Sequence, residues 1–154
     1  MTSSMEIVNG SAVSEFLQRV TAAASVYREI VVCTPFLDDQ MASAVRKLAV
    51  SAPRVHCGFT LLTRREAARR VLDGLPAPLY RWGRSIHVCH RIHAKVYVAV
   101  GRADRDSEAI VTSANLTIDG VAVNDELGVR FTGSTPMERL ALVSIKSAVH
   151  KWLH

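Results

Sequence analysis

The sequence predicts an α/β fold, a mixed β-sheet flanked by helices, as one domain over residues 1–154. Three observations predict it. Segments with apolar residues at helical spacing alternate with short β-branched runs. Two extended segments near 86–100 and 108–113 are separated by a polar loop, as in an antiparallel pair. A chain of 154 residues that is 49% hydrophobic can bury a sizeable core and is too apolar for global disorder.

The elements follow in order. Glu6–Val8 is a short first strand. From residue 11 to about 27, Phe16, Leu17, Val20, Ala23, Ala24 and Tyr27 keep helical spacing. Residues 30–33 form a buried strand stopped by Thr34-Pro35. Asp38 caps a helix running to about residue 50, and 55–62 is the next strand. In a helix over 64–73, Ala67, Ala68, Val71 and Leu72 share one face, and Arg65, Arg69 and Arg70 lie opposite with Glu66. Pro76 and Pro78 interrupt, and extended structure resumes over 86–100. Strands at 108–113 and 126–131 follow, on either side of an unassigned stretch. Thr135-Pro136-Met137-Glu138 is a capping box with proline at the first helical position, opening a helix to about residue 152.

A net charge of +5 favours an acidic partner, with nucleic acid the leading candidate. No apolar run is long enough to span a bilayer, so no membrane partner is expected. The first ten residues lack the basic start and apolar stretch of a signal peptide. Cys33, Cys57 and Cys89 are widely spaced, with no C-x-x-C, and read as reduced thiols. Together these features point to a cytoplasmic protein.

The residues that carry chemistry begin with His93 and Lys95 in the stretch HRIHAKVYVAVG. Two apart in a strand, they would stand side by side on one face, an imidazole beside an ammonium, suited to a phosphate. Were Val100 to pair with Glu108, Lys95 would face Ser113 and His93 would face Asn115. After HAKVYVA come VTSANLT, with Ser113 and Asn115, and NDELGV, with Glu126.

This ordered set resembles the phospholipase D superfamily, whose signature is H-x-K, four residues, D, then a G-[SG]-x-N segment. The resemblance spans about residues 86–130, extends more weakly upstream through IVVCTPFL, and is to the short single-motif bacterial nucleases. It implies a phospholipase D-like fold and a phosphodiesterase with His93 as nucleophile, passing through a phosphohistidine. Lys95 and Asn115, with Ser113, would hold the non-bridging oxygens, and Glu126 would accept a hydrogen bond from the imidazole. The resemblance implies no metal and no cofactor. Relatives use two copies of the motif, one histidine attacking and the other acting as general acid. This chain has one H-x-K and no internal repeat, which implies a homodimer with a shared site. Two positions depart from the pattern: Val100 stands where the signature has aspartate, and Thr112 where it has the glycine.

Other residues carry plainer alternatives. Arg65, Arg69 and Arg70 are candidate nucleic-acid-binding residues, or a solvated helix face. His87, Cys89 and His90, with His56 and Cys57 far off, match no zinc spacing and read as strand residues. Tyr80 and Trp82, interleaved with Arg81 and Arg84, could stack on bases or anchor a loop. Asp38 and Asp39 read as a cap, and His150 and His154 as surface residues. The function expected is a metal-independent nuclease, with DNA before RNA as its polymer. A phospholipase or phosphatidyl-transfer enzyme is the alternative reaction, and a non-catalytic nucleic-acid-binding module the alternative class.

Overall fold

The two faces of a single sheet are covered unequally, by three helices on one and a single helix on the other. The structure, a computed structural model, describes residues 5–75 and 85–154. The Pro76, Pro78, Tyr80, Arg81, Trp82 and Arg84 readings lie outside the described residues. Seven strands are β1 (Glu6–Val8), β2 (Tyr27–Cys33), β3 (Gly58–Thr63), β4 (Ile86–Val88), β5 (Val96–Gly101), β6 (Glu108–Thr112) and β7 (Gly128–Thr132). Their order across the sheet is β1-β7-β6-β5-β2-β3-β4. The pairs β2–β3 and β3–β4 are parallel and the rest antiparallel, so the sheet is mixed as predicted.

The helices are α1 (Ser11–Ala22), α2 (Asp39–Ser51), α3 (Arg65–Leu72) and α4 (Pro136–Lys151). One face of the sheet packs Ile30, Val32, Leu61, Tyr97 and Ile110 against α1, α2 and α3, through Phe16, Val20, Val45, Leu48 and Val71. The other packs Val31, Cys33, Leu62, Val96 and Val98 against Leu142 and Val149 of α4. Central strands buried on both faces read as continuous apolar runs, which is why IVVC and VYVAV lack clean alternation.

Both predicted caps form. The Asp38 carboxylate accepts from Met41 N at 2.8 Å, which stabilises the start of α2 by about 1 kcal/mol. Thr135 Oγ1 accepts from Glu138 N at 3.2 Å, and Glu138 Oε2 accepts from Thr135 N at 3.0 Å.

Five expectations are corrected. The first helix stops at Ala22, because 24–26 tighten into a 3₁₀ turn and Tyr27 already pairs with Gly101 as the first residue of β2. The third strand starts at Gly58, after a 3₁₀ turn over Ala52–Val55 that ends on His56 in the left-handed region (φ 55°). The extended stretch 86–100 is two strands, β4 at the sheet edge and β5 at its centre. Between them the chain passes over the ends of β3 and β2, a span of about 14 Å that seven residues cover easily. His93 and Lys95 lie on that crossing and not in a strand.

The β5–β6 register is also shifted by one residue: Ala99, not Val100, pairs with Glu108. The loop between them explains it. Asp104–Asp106 form a 3₁₀ turn, and Gly101 N donates to the Ser107 hydroxyl at 2.9 Å in place of a ladder bond. Lys95 consequently lies opposite Thr112, whose N donates to Lys95 O at 3.1 Å, and not opposite Ser113.

Candidate active site

The topology brings the C-terminal ends of β2, β3 and β6 and the N-terminal ends of β5 and β7 to one end of the sheet. All five predicted site residues fall there, each one to three residues beyond a strand. His93 and Lys95 precede β5, Ser113 and Asn115 follow β6, and Glu126 precedes β7. Crevices beyond strand ends are where open α/β sheets place their chemistry, because loops there carry side chains that no ladder confines.

Ser113 and Glu126 are joined directly, the Ser113 hydroxyl donating to Glu126 Oε2. Ser113 Oγ also accepts from Leu127 N at 3.1 Å, so the loop entering β7 is fastened to the loop leaving β6. The expected bond from the imidazole to Glu126 is not made: the carboxylate serves Ser113, and His93 touches Arg64 instead. Glu126 Oε1 has no hydrogen-bond partner among the described residues.

Asn115 is half-buried, and its Oδ1 is buried with no partner among the described residues. An amide with unused hydrogen-bonding capacity is uncommon in a folded interior and calls for an explanation. Its backbone is held by a π-helical turn over Asp119–Val123, which the sequence pattern does not predict. A Cβ on Gly120 would lie 2.4 Å from Asn115 O, so only glycine lets this turn pack so closely.

Beneath the site, the fully buried Tyr97 donates to Ala114 O at 3.1 Å. Burial above all, with Cys33 and Glu126 nearby, pushes the Tyr97 hydroxyl well above its ordinary range against a lowering contact with Thr34. It stays a neutral donor that pins the 113–115 turn. Thr34 accepts from Leu116 N at 3.2 Å, and the Asp38 carboxylate accepts from Ile118 N, tying the same loop to the end of β2.

Sequence reasoning missed three residues here. Arg64 closes β3 and places its guanidinium on His93. Phe36, 48% exposed, lies under that guanidinium at 5.0 Å. Arg91 is exposed on the crossing segment. The available signal was positional, since Arg64 ends a strand and precedes a helix, where ligands collect in such sheets. Neither Lys95 nor Arg64 has a carboxylate at ion-pair distance among the described residues.

Of the three helix arginines, Arg65 and Arg69 are exposed, whereas Arg70 pairs with Asp39 at 2.9 Å and Glu66 at 3.2 Å. Val100 lies at the far end of β5, about 17 Å along the strand from Lys95, so the missing signature aspartate is remote from the cluster. No three His, Cys, Asp or Glu side chains among the described residues converge as a metal site. No described helix is long and apolar enough to cross a membrane.

No protein-family model and no curated protein matches the chain in sequence. Among solved structures it is similar to NucT from Helicobacter pylori, at 16% identity and a TM-score of 0.58, covering 99% of this chain and 95% of that one. It is similar also to Nuc from Salmonella typhimurium, a phospholipase D family member, at 15% identity and a TM-score of 0.54, covering 98% and 96%. A third likeness is to TrmBL2, an archaeal chromatin protein with a novel mode of DNA binding. It has 12% identity and a TM-score of 0.53, and covers 96% of this chain and 52% of that one. With the first two likenesses running over nearly the whole length of both chains, the chain, with its mixed seven-stranded sheet, has the phospholipase D-like fold.

Proposed function

We propose that the protein is a metal-independent phosphodiesterase that cleaves nucleic acid, DNA before RNA, at a site shared across a homodimer. The observation that carries this reading is the gathering of His93, Lys95, Ser113, Asn115 and Glu126 at one end of a phospholipase D-like sheet. Lys95 and Arg64, neither neutralised by a described carboxylate, and the exposed Arg65 and Arg91 put unpaired cations at that end. Such an end suits a polyanion.

One His93 ring nitrogen attacks phosphorus, the P–N bond forms, and the bond to the leaving oxygen breaks. The leaving oxygen takes its proton from the second subunit's imidazolium. Water, deprotonated by that same imidazole, then attacks phosphorus and breaks the P–N bond, which restores both histidines. Lys95 and the Asn115 amide stabilise the charge that grows on the non-bridging oxygens. Glu126 uses its free Oε1 to accept the imidazole N–H while Oε2 keeps Ser113.

The test compares wild type with His93→Ala on end-labelled DNA and RNA in EDTA. Cleavage in chelator that His93→Ala abolishes is the expected result. Activity lost in EDTA and restored by magnesium overturns the mechanism. Binding without cleavage in both proteins would mean a non-catalytic module.

One observation favours a second substrate class. Phe36, Val123 and Leu127, at 48%, 68% and 66% exposure, stand beside or near the site, as an apolar entrance for a lipid would require. Headgroup release from phosphatidylcholine vesicles, with no cleavage of DNA or RNA, would select that reaction.

A further inference from the structure

Arg64 is held on three sides. Its Nε donates to Ile92 O at 3.1 Å, its guanidinium lies 5.0 Å from the Phe36 ring centroid, and its Nη2 lies 3.2 and 3.1 Å from Nδ1 and Nε2 of His93. Near-equal distances to both ring nitrogens fix the approach. In the ring plane, Nη2 would overlap Cε1, so it lies over the imidazole face and leaves the in-plane lone pair open for attack. The guanidinium carries five N–H donors and cannot be an acceptor. Nη1 donates to no described residue, and no carboxylate of the described residues neutralises the charge. A half-buried cation is thus fixed in place with part of its donor fork unspent.

A phosphorus atom in line for attack stands about 3–3.5 Å from the nucleophile. Its non-bridging oxygens then fall within hydrogen-bond reach of a guanidinium that is itself 3.1 Å from that nitrogen. The planar fork matches two phosphate oxygens, which the point charge of Lys95 does not. We propose that Arg64 is a further phosphate-binding residue of the site, receiving the non-bridging oxygens of the diester while Ile92 O and Phe36 hold it against His93. This rests on the reading of His93 as the nucleophile. It adds a residue beyond the motif, supplied by the end of β3.

The experiment has two arms on the full chain. In the first, wild type, Arg64→Gln, Arg64→Lys and His93→Ala hydrolyse bis(p-nitrophenyl) phosphate, a diester without bases. Arg64→Gln should fall roughly 100-fold or more in kcat/KM, the scale seen when one oxyanion donor is removed. Arg64→Lys should recover only part, since it restores charge without the fork. Guanidinium chloride at millimolar concentration should raise the rate of Arg64→Gly, a rescue that a purely structural role would not give. In the second arm, inorganic phosphate is titrated against each protein by the shift of the imidazole NMR signals, with melting temperature as the folding control. Binding should weaken at least tenfold in Arg64→Gln.

The outcomes separate the two readings. An active His93→Ala overturns the nucleophile assignment. An inactive His93→Ala beside an Arg64→Gln with wild-type kcat/KM and phosphate affinity overturns the role of Arg64 alone. Unchanged phosphate affinity in folded Arg64→Gln and Arg64→Lys overturns it even if no diester is cleaved.

Discussion

Thr112 stands directly across from Gly128 in the β6–β7 ladder, and a Cβ on Gly128 would fall 2.7 Å from the Thr112 Cβ. The glycine missing from the signature position is compensated by a glycine on the facing strand. Thr112 also works for the site: its hydroxyl donates to Leu127 O at 3.1 Å and accepts from Ala114 N at 3.1 Å. It therefore links the loop carrying Ser113 and Asn115 to the loop carrying Glu126.

Two substitutions test that link. Gly128→Ala should destabilise the fold by about 1–3 kcal/mol, through overpacking against Thr112. Thr112→Gly should cost a similar amount, about 1–3 kcal/mol, by leaving the backbone groups of Ala114 and Leu127 without that hydroxyl. In the double variant the contacts with the Thr112 side chain are gone and only the one with Val111 O, at 2.9 Å, remains, so its destabilisation should be smaller than the sum of the two. Urea melts of the four proteins measure this, and strict additivity would refute the coupling.

The proposed shared site makes a quantitative prediction. When wild type is mixed and re-equilibrated with an equal amount of His93→Ala, only matched wild-type pairs keep two histidines, so activity should fall to about half. Light scattering across a dilution series should show a dimer wherever activity is found. An active monomer, or a mixture that keeps full activity, would falsify the shared site.

Binding to nucleic acid should weaken steeply with salt as lysine and arginine side chains displace condensed counterions. The three helix arginines should not contribute equally. Arg70 is already engaged with Asp39 and Glu66, whereas Arg65 and Arg69 are exposed and available to phosphates. Replacing Arg65 and Arg69 should reduce the salt slope by roughly one unit for each phosphate no longer neutralised, and Arg70→Ala should leave it nearly unchanged. Equal slopes in all variants would return this face to a solvated role.

The cysteines predict a pH-dependent reactivity. Burial above all, with Cys89 nearby, pushes the Cys33 thiol up to about 12, and burial raises Cys57 as well. At pH 8 both stay protonated, so a thiol reagent should label the half-buried Cys89 first and the other two only on unfolding. A thiol that is neutral in the fold adds stability that is full below its unfolded pKa of about 8.5. That stability is lost as pH rises toward 12. Stability curves that stay flat from pH 8 to pH 11 would contradict this.

The sequence by itself determined the classes of element and both helix caps, because those signals are local, and its resemblance to a known superfamily pointed to the five polar residues proposed for the site. Asp38 three residues before Met41, and Thr135 three before Glu138, specify their caps whatever the rest of the chain does. Only tertiary structure decided where the strand runs break and how they pair. The run 86–100 is apolar enough to read as one strand, yet β4 pairs with β3 at the edge and β5 with β2 at the centre, so residues 89–95 must cross between them. That crossing puts His93 beside Arg64, 29 positions away, a contact no local periodicity could reveal. The β5–β6 register was decided by the Ser107 hydroxyl binding Gly101 N, a turn contact whose alternatives differ by one residue and look alike in sequence.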